Sequence, residues 1–206
     1  MDLLSLVLSI PGLFLALSIH EFAHGYAAYL MGDNTAKYSG RLSLNPLAHL
    51  DVVGTLCLLL FHFGWAKPVP INPGNFRDQR KGTVVVSLAG PFANFLLALV
   101  CTVLYKLLEK FVPTSQIAEF FYMILVYAQI MNVGLMVFNL IPIPPLDGSK
   151  VLMEFLPYRY RYQMYNIERY SGIILLVLVW TRVLTPVLAT LSGWVYRFIE
   201  LLTFFI

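Results

Sequence analysis

His20, Glu21 and His24 have the residue types and the spacing of a metal centre. In His20-Glu21-Phe22-Ala23-His24 a helix sets the two imidazoles four residues apart, one turn on, where both can face one metal ion. The glutamate between them can serve as general base toward an attacking water. Such a group is costly inside an apolar helix unless its members are paired or functional. The competing reading is a polar cluster at a helix end, without chemistry.

The surrounding chain reads as a membrane protein. Apolar residues make up 59% of its 206 positions and charged residues 12%, against about 45–50% and about 25% in ordinary soluble domains. Mean hydropathy is +0.74. The net charge of +3 is dispersed through short segments, which argues against a nucleic-acid partner and for juxtamembrane loops beside a lipid bilayer. Cys57 and Cys101 lie in apolar runs and read as small buried residues. Asp2 precedes the first apolar run and no small-residue cleavage site follows it, so that run is expected to be retained.

These features predict an all-α polytopic membrane protein of about five to six transmembrane helices, forming one membrane-embedded domain over 1–206. The first helix should cover about 3–31 and stop at Gly32-Asp33-Asn34. A short apolar segment follows at about 51–63, either a crossing extended by its flanks or a re-entrant segment. Gly64 to Asn75 is too rich in proline and glycine for a helix, and predicts a small extended or β-like region between the first and third helices. Further helices are expected over about 83–105, over about 118–155 with a proline break, and over about 170–206 as two final crossings. Tyr158 to Tyr170, basic and tyrosine-rich, suits a membrane interface. If every apolar segment crosses, the Lys and Arg distribution puts the N-terminus in the cytoplasm; a re-entrant 51–63 would switch every later loop to the other side.

A catalytic zinc takes three protein ligands and keeps one open position. Four histidines and eleven acids limit the choice of a third ligand, and Asp147 stands out. It closes Asn139-Leu140-Ile141-Pro142-Ile143-Pro144-Pro145-Leu146-Asp147-Gly148, an apolar helix broken by prolines. Broken backbone at membrane depth is tolerated only where it is buried in protein or lines a cavity. The alternative is an ordinary helix start with Asp147 as its N-cap, and the residues alone leave both open.

Taken together, His-Glu-Phe-Ala-His and Asn-Leu-Ile-Pro-Ile-Pro-Pro-Leu-Asp-Gly resemble the signatures of the site-2 protease family of intramembrane zinc metalloproteases. Gly90-Pro91-Phe92-Ala93-Asn94 resembles its Gly-xxx-Asn step, and Arg41 to His49 and Gly64 to Val69 resemble its short members. The resemblance implies one zinc ion held by His20, His24 and Asp147, with Glu21 as catalytic base. It implies that Asn139 polarises the scissile carbonyl or steadies its oxyanion. Asn94, with Gly90 beside it, would support the metal site from behind its ligands or contact the substrate strand; the alternative for Asn94 is a helix–helix hydrogen bond. His49 could touch the site or be structural, and His62 reads as structural. The PDZ and CBS domains of larger relatives do not fit within this length.

The expected activity is hydrolysis of peptide bonds in a transmembrane protein or peptide that unwinds locally, within the cell membrane of a prokaryote. Pro142–Pro145 and Gly64–Asn75 are candidate places to receive an extended substrate strand. The alternative is a non-proteolytic zinc-binding membrane protein, a metal carrier or a membrane chaperone. An oligomer is left open.

Overall fold

The computed structural model describes residues 3–49, 51, 54, 67–113 and 115–206. Apart from Gly54, the short apolar segment Val52–Phe63, with Cys57 and His62, lies outside the described residues, as do Gly64 to Ala66.

Helix α1 (Leu3–Met31) carries the His-Glu-Phe-Ala-His stretch in its C-terminal half. Its end is chemically marked. Gly32 takes φ +109°, a conformation that a side chain would strain. The Gly32 N–H then reaches Tyr29 O at 3.1 Å and the Asp33 N–H reaches Ala28 O at 2.9 Å, a Schellman closure. A single turn, α2 (Thr35–Tyr38), follows. Helix α3 (Gln79–Phe111) starts on Asp78, whose carboxylate accepts from the Lys81 N–H, and runs through Pro91 without ending. Helix α4 (Gln116–Leu140) is capped by Ser115 and stops just before Pro142. Short helices α5 (Asp147–Phe155) and α6 (Tyr158–Glu168) come next. The last pair, α7 (Ser171–Trp180) and α8 (Thr185–Leu202), is bent by 85° at its break.

Helices α1, α3 and α4 pack against one another and form the scaffold; α5 lies on α3 and α8 lies on α4. Ala98, Val133, Val137 and Ile199 are the buried contact between α3, α4 and α8. Ala27, Ala28, Phe76 and Val86 close the other end, where the loop before α3 folds over α1. The outward faces carry large apolar side chains such as Phe92, Phe111 and Ile117, each at least 60% exposed, as lipid contact requires and water would not tolerate.

Among the described residues three helices are long and apolar enough to cross a membrane, or four if α7 and α8 count as one broken span. The expected five to six crossings are therefore not seen there. The two final crossings reduce to a sharply bent pair, because the chain turns at Arg182, which adopts φ 57°. No strand occurs among the described residues either. Residues 67–72 are irregular, and Pro68, Pro70 and Pro73 remove three of the N–H groups that a sheet ladder would need.

The two sides of the bundle can be assigned. The Arg77 N–H donates to Met31 O at 3.0 Å, so the end of α1 and the approach to α3 share one face. The Lys67 N–H likewise donates to His49 O at 2.8 Å. The described residues between α1 and α3 therefore meet at the face on which α4 ends, with His49 and Lys67 bonded to each other there. Lys37, Arg41, Lys67, Arg77, Arg80 and Lys81 join Lys150 on this face, with Arg161 tied to α5 through Glu154. The opposite face, where α3 ends and α4 begins, has Lys106 and Lys110.

Candidate metal centre

His20 and His24 lie on the inner face of α1, buried to 4% and 7% exposure. Pro142 ends α4, and the turn bonds Ile143 N–H to Ile141 O and Leu146 N–H to Ile143 O reverse the chain. Helix α5 then begins beneath the histidines. A side chain on Gly148 would collide with the Leu140 carbonyl, so the Leu-Asp-Gly turn needs its glycine to pack this tightly. Leu146, not Asp147, is the N-cap of α5.

The Asp147 carboxylate turns inward instead. Its Oδ2 lies 3.1 Å from His24 Nε2 and 3.3 Å from His20 Nε2, and the two Nε2 atoms are 3.0 Å apart. Among the described residues this is the one cluster of three or more His, Cys, Asp or Glu side chains arranged to hold a metal ion.

The other atoms of these side chains are committed elsewhere. His20 Nδ1–H donates to Asn94 Oδ1 at 2.6 Å, and His24 Nδ1–H donates to the Val86 carbonyl at 2.7 Å. Both acceptors are carbonyl oxygens, so each neutral ring presents an Nε2 lone pair to the centre. Asp147 Oδ1 pairs with Lys150 Nζ at 3.1 Å, leaving Oδ2 as the inward oxygen. Two lone pairs and a carboxylate oxygen this close require a proton or a metal cation between them. Two imidazoles, one carboxylate and ring N–H groups anchored on carbonyls are the donor set of a catalytic zinc site, so the residues fit the ion.

The centre opens into a cavity of about 340 Å³. Glu21, Asn139 and Lys150 line it with the three cluster residues, and Pro68, Val69, Ile71 and Phe76 form an apolar wall. Glu21 Oε2 accepts from the Val69 N–H at 2.9 Å, which leaves Oε1 uncommitted to that bond. Asn139 Nδ2 donates to Leu135 O at 3.0 Å, within its own helix. Gly90 lies against the histidines: a Cβ there would stand 2.5 Å from His24 Nε2 and 2.6 Å from His20 Cε1. His49 is not among the cavity-lining residues. It is buried at 1% exposure, with Nε2 bonded to Ser43 O at 2.6 Å, and its carbonyl ties down Lys67.

Four participants escaped the sequence reading. Lys150 had a usable signal in its i,i+3 spacing from Asp147. Asn132, whose Oδ1 accepts from Asn94 Nδ2 at 2.8 Å, had one as an amide inside an apolar helix. Val69 and Val86 act through backbone atoms, which residue type cannot reveal.

The model of Peptidase family M50 matches residues 106–180. A Bacillus subtilis protein, YwhC, whose name provisionally assigns it as a zinc metalloprotease, is 40% identical over 172 residues, covering 81% of this chain and 77% of that one. Rip2 of Mycolicibacterium smegmatis, named in the same way, is 28% identical over 197 residues, covering 93% and 74%. Rip2 of Mycobacterium tuberculosis is 29% identical over 196 residues, covering 92% and 70%. No solved structure matches the chain. With a membrane-embedded scaffold, a histidine–aspartate centre and relatives of this kind, the chain belongs to Peptidase family M50, the site-2 protease family of zinc metalloproteases.

Proposed function

We propose that the protein is an intramembrane endopeptidase that cuts peptide bonds of membrane-spanning substrates, with one zinc ion held by His20 Nε2, His24 Nε2 and Asp147. The observation that carries this reading is the convergence of those three groups in a cavity between helices of membrane-crossing length. When bound, zinc acts as a Lewis acid on the water and carbonyl oxygens at the site. Glu21 Oε1 takes the proton of the attacking water and returns it to the leaving amine. Lys150 holds Asp147 Oδ1, so the carboxylate keeps a single oxygen inward. Asn139 meets the scissile carbonyl from the cavity wall; its bond to Leu135 uses one of two amide hydrogens and leaves the other.

The substrate must present an extended strand, and residues 69–71 are the place for it. Arg41 binds the carbonyls of Lys67 and Pro68, Glu21 takes the Val69 N–H, and Asp33 takes the Asn72 N–H. That leaves the Ile71 N–H and the carbonyls of Val69 to Ile71 for pairing across the cavity mouth. By the positive-inside rule the face rich in Lys and Arg is cytoplasmic in a prokaryotic cell membrane, so α1 starts on the outer side. The decisive experiment incubates purified protein in proteoliposomes with a panel of single-span substrates. Cleavage by the wild type and its severe loss in Glu21→Gln are expected. Zinc binding without cleavage of any substrate would instead favour the metal-carrier reading.

A further inference from the structure

We propose that Asn132, on α4, is a positioning residue that fixes the ring orientation and tautomer of His20 by holding Asn94 in one amide orientation; this rests on the reading of His20 as a metal ligand. Asn132 is hydrogen-bonded to Asn94 and to the Ala128 carbonyl rather than to a member of the cluster. It is fully buried at 0% exposure, as is Asn94.

The chain of bonds has a fixed direction. Asn132 Nδ2 donates to the Ala128 carbonyl at 2.8 Å. A carbonyl can only accept, so Asn132 must aim its oxygen the other way. That oxygen receives Asn94 Nδ2 at 2.8 Å, and the same nitrogen donates to Ala16 O at 3.0 Å. Both hydrogens of Asn94 are then used, and its Oδ1 faces His20 Nδ1 at 2.6 Å. Turning the Asn94 amide over would set its oxygen against two acceptors, Ala16 O and Asn132 Oδ1. The relay therefore compels His20 to carry its proton on Nδ1 and to present Nε2 as a lone pair.

A pair of amides serving only to join helices would be complete with each other; this one ends on an imidazole. The backbone is shaped for it as well. One turn before Ala16, Gly12 meets Ala128, where a Cβ would come within 2.7 Å of Ala128 Cα, so α1 and α4 approach closely beside the relay. His24 is independent of it, because its Nδ1–H ends directly on the Val86 backbone.

The test uses full-length protein in detergent, with zinc affinity measured by chelator competition and histidine tautomers read by ¹⁵N NMR. Asn132→Leu removes the acceptor and should weaken zinc binding roughly 10- to 100-fold, the size of an outer-layer effect at a metal site. It should also disturb the His20 signal while leaving the His24 signal unchanged. Asn132→Ala carries the same expectation without added bulk. Asn132→Asp, which keeps a carbonyl acceptor for Asn94, should restore most of the affinity. Wild-type affinity and an unaltered His20 tautomer in both Asn132→Leu and Asn132→Ala would overturn the proposal. Equal disturbance of His20 and His24, with no rescue by Asn132→Asp, would overturn it in favour of a packing role. Failure of the underlying reading looks different: His20→Ala would then bind zinc as tightly as wild type.

Discussion

The Glu21 carboxylate on α1 accepts a hydrogen bond from the Val69 backbone N–H at 2.9 Å, joining the proposed base to the loop that walls the cavity. This bond decides which substitution tests the chemistry. In Glu21→Gln the amide oxygen still accepts from Val69, so the loop stays in place. Proteolysis should fall by roughly 10²- to 10⁴-fold, the usual scale for a general base, while zinc content by elemental analysis stays at the wild-type level. Glu21→Ala should lose the activity and also speed amide hydrogen exchange at Val69. Cleavage by Glu21→Gln at the wild-type rate would remove Glu21 from the mechanism.

Gly90 gives a test of how tightly α3 is packed on the histidines. A methyl group there would stand 2.5 Å from His24 Nε2 in a buried site, so neither ring can move aside without breaking its Nδ1 bond. Gly90→Ala should destabilise the fold by about 1–3 kcal/mol, as overpacking does, and weaken zinc binding as well. Gly134→Ala on α4 meets nothing within 4 Å and should leave both unchanged. Thermal unfolding with and without zinc reads the contrast, and equal behaviour of the two variants would contradict it.

The parts of this site that could be read from the chain are the ones encoded locally. The i,i+4 spacing of His20 and His24 needs only a helix, and the proline break before Asp147 marks a buried turn. Gly32 at the end of α1 is local in the same sense. What could not be read depends on distant partners. The bond between Met31 and Arg77 decides which loops share a face, and no periodicity encodes it. Asn132 and Asn94 stand 38 residues apart and meet only because α3 and α4 are antiparallel. Helix α3 begins at Gln79 rather than near Thr83 because Asp78 caps it, although Gln79, Arg80 and Lys81 are polar and lie outside the apolar run. Two final helices on either side of Arg182 and Thr185-Pro186 are legible in the sequence, whereas the 85° bend between α7 and α8 is a tertiary outcome that no local pattern encodes.

Asp33 should make the loop acid-sensitive. The residue is buried, and burial alone would raise its carboxyl pKa. Hydrogen bonds from Thr35, Asn72 and Asn75 outweigh this and hold it below the usual carboxylate range. A carboxyl lowered in the fold contributes its full stability above the ordinary Asp value of about 3.9, and loses it as the pH falls through the lowered value. Protease susceptibility of residues 67–77 should therefore rise in that acid window. Asp33→Asn should raise susceptibility at neutral pH, costing about 1.5–3 kcal/mol for bonds to a charged group, and flatten the acid response. A wild-type acid profile in Asp33→Asn would place the sensitivity elsewhere.

The assignment of faces yields the last prediction. Lys81 sits at the start of α3 on the face with most of the Lys and Arg residues, and Lys110 sits near its far end. In a background lacking Cys57 and Cys101, Lys110→Cys should react with a membrane-impermeant maleimide on intact bacterial cells. Lys81→Cys should react only after permeabilisation. The cavity mouth shares the face of Lys81, because Met31, Arg77 and the loop over Glu21 are bonded together there. The same labelling therefore reports from which side a substrate strand must reach Glu21. The reverse pattern would put the site's mouth outside the cell and contradict the positive-inside assignment.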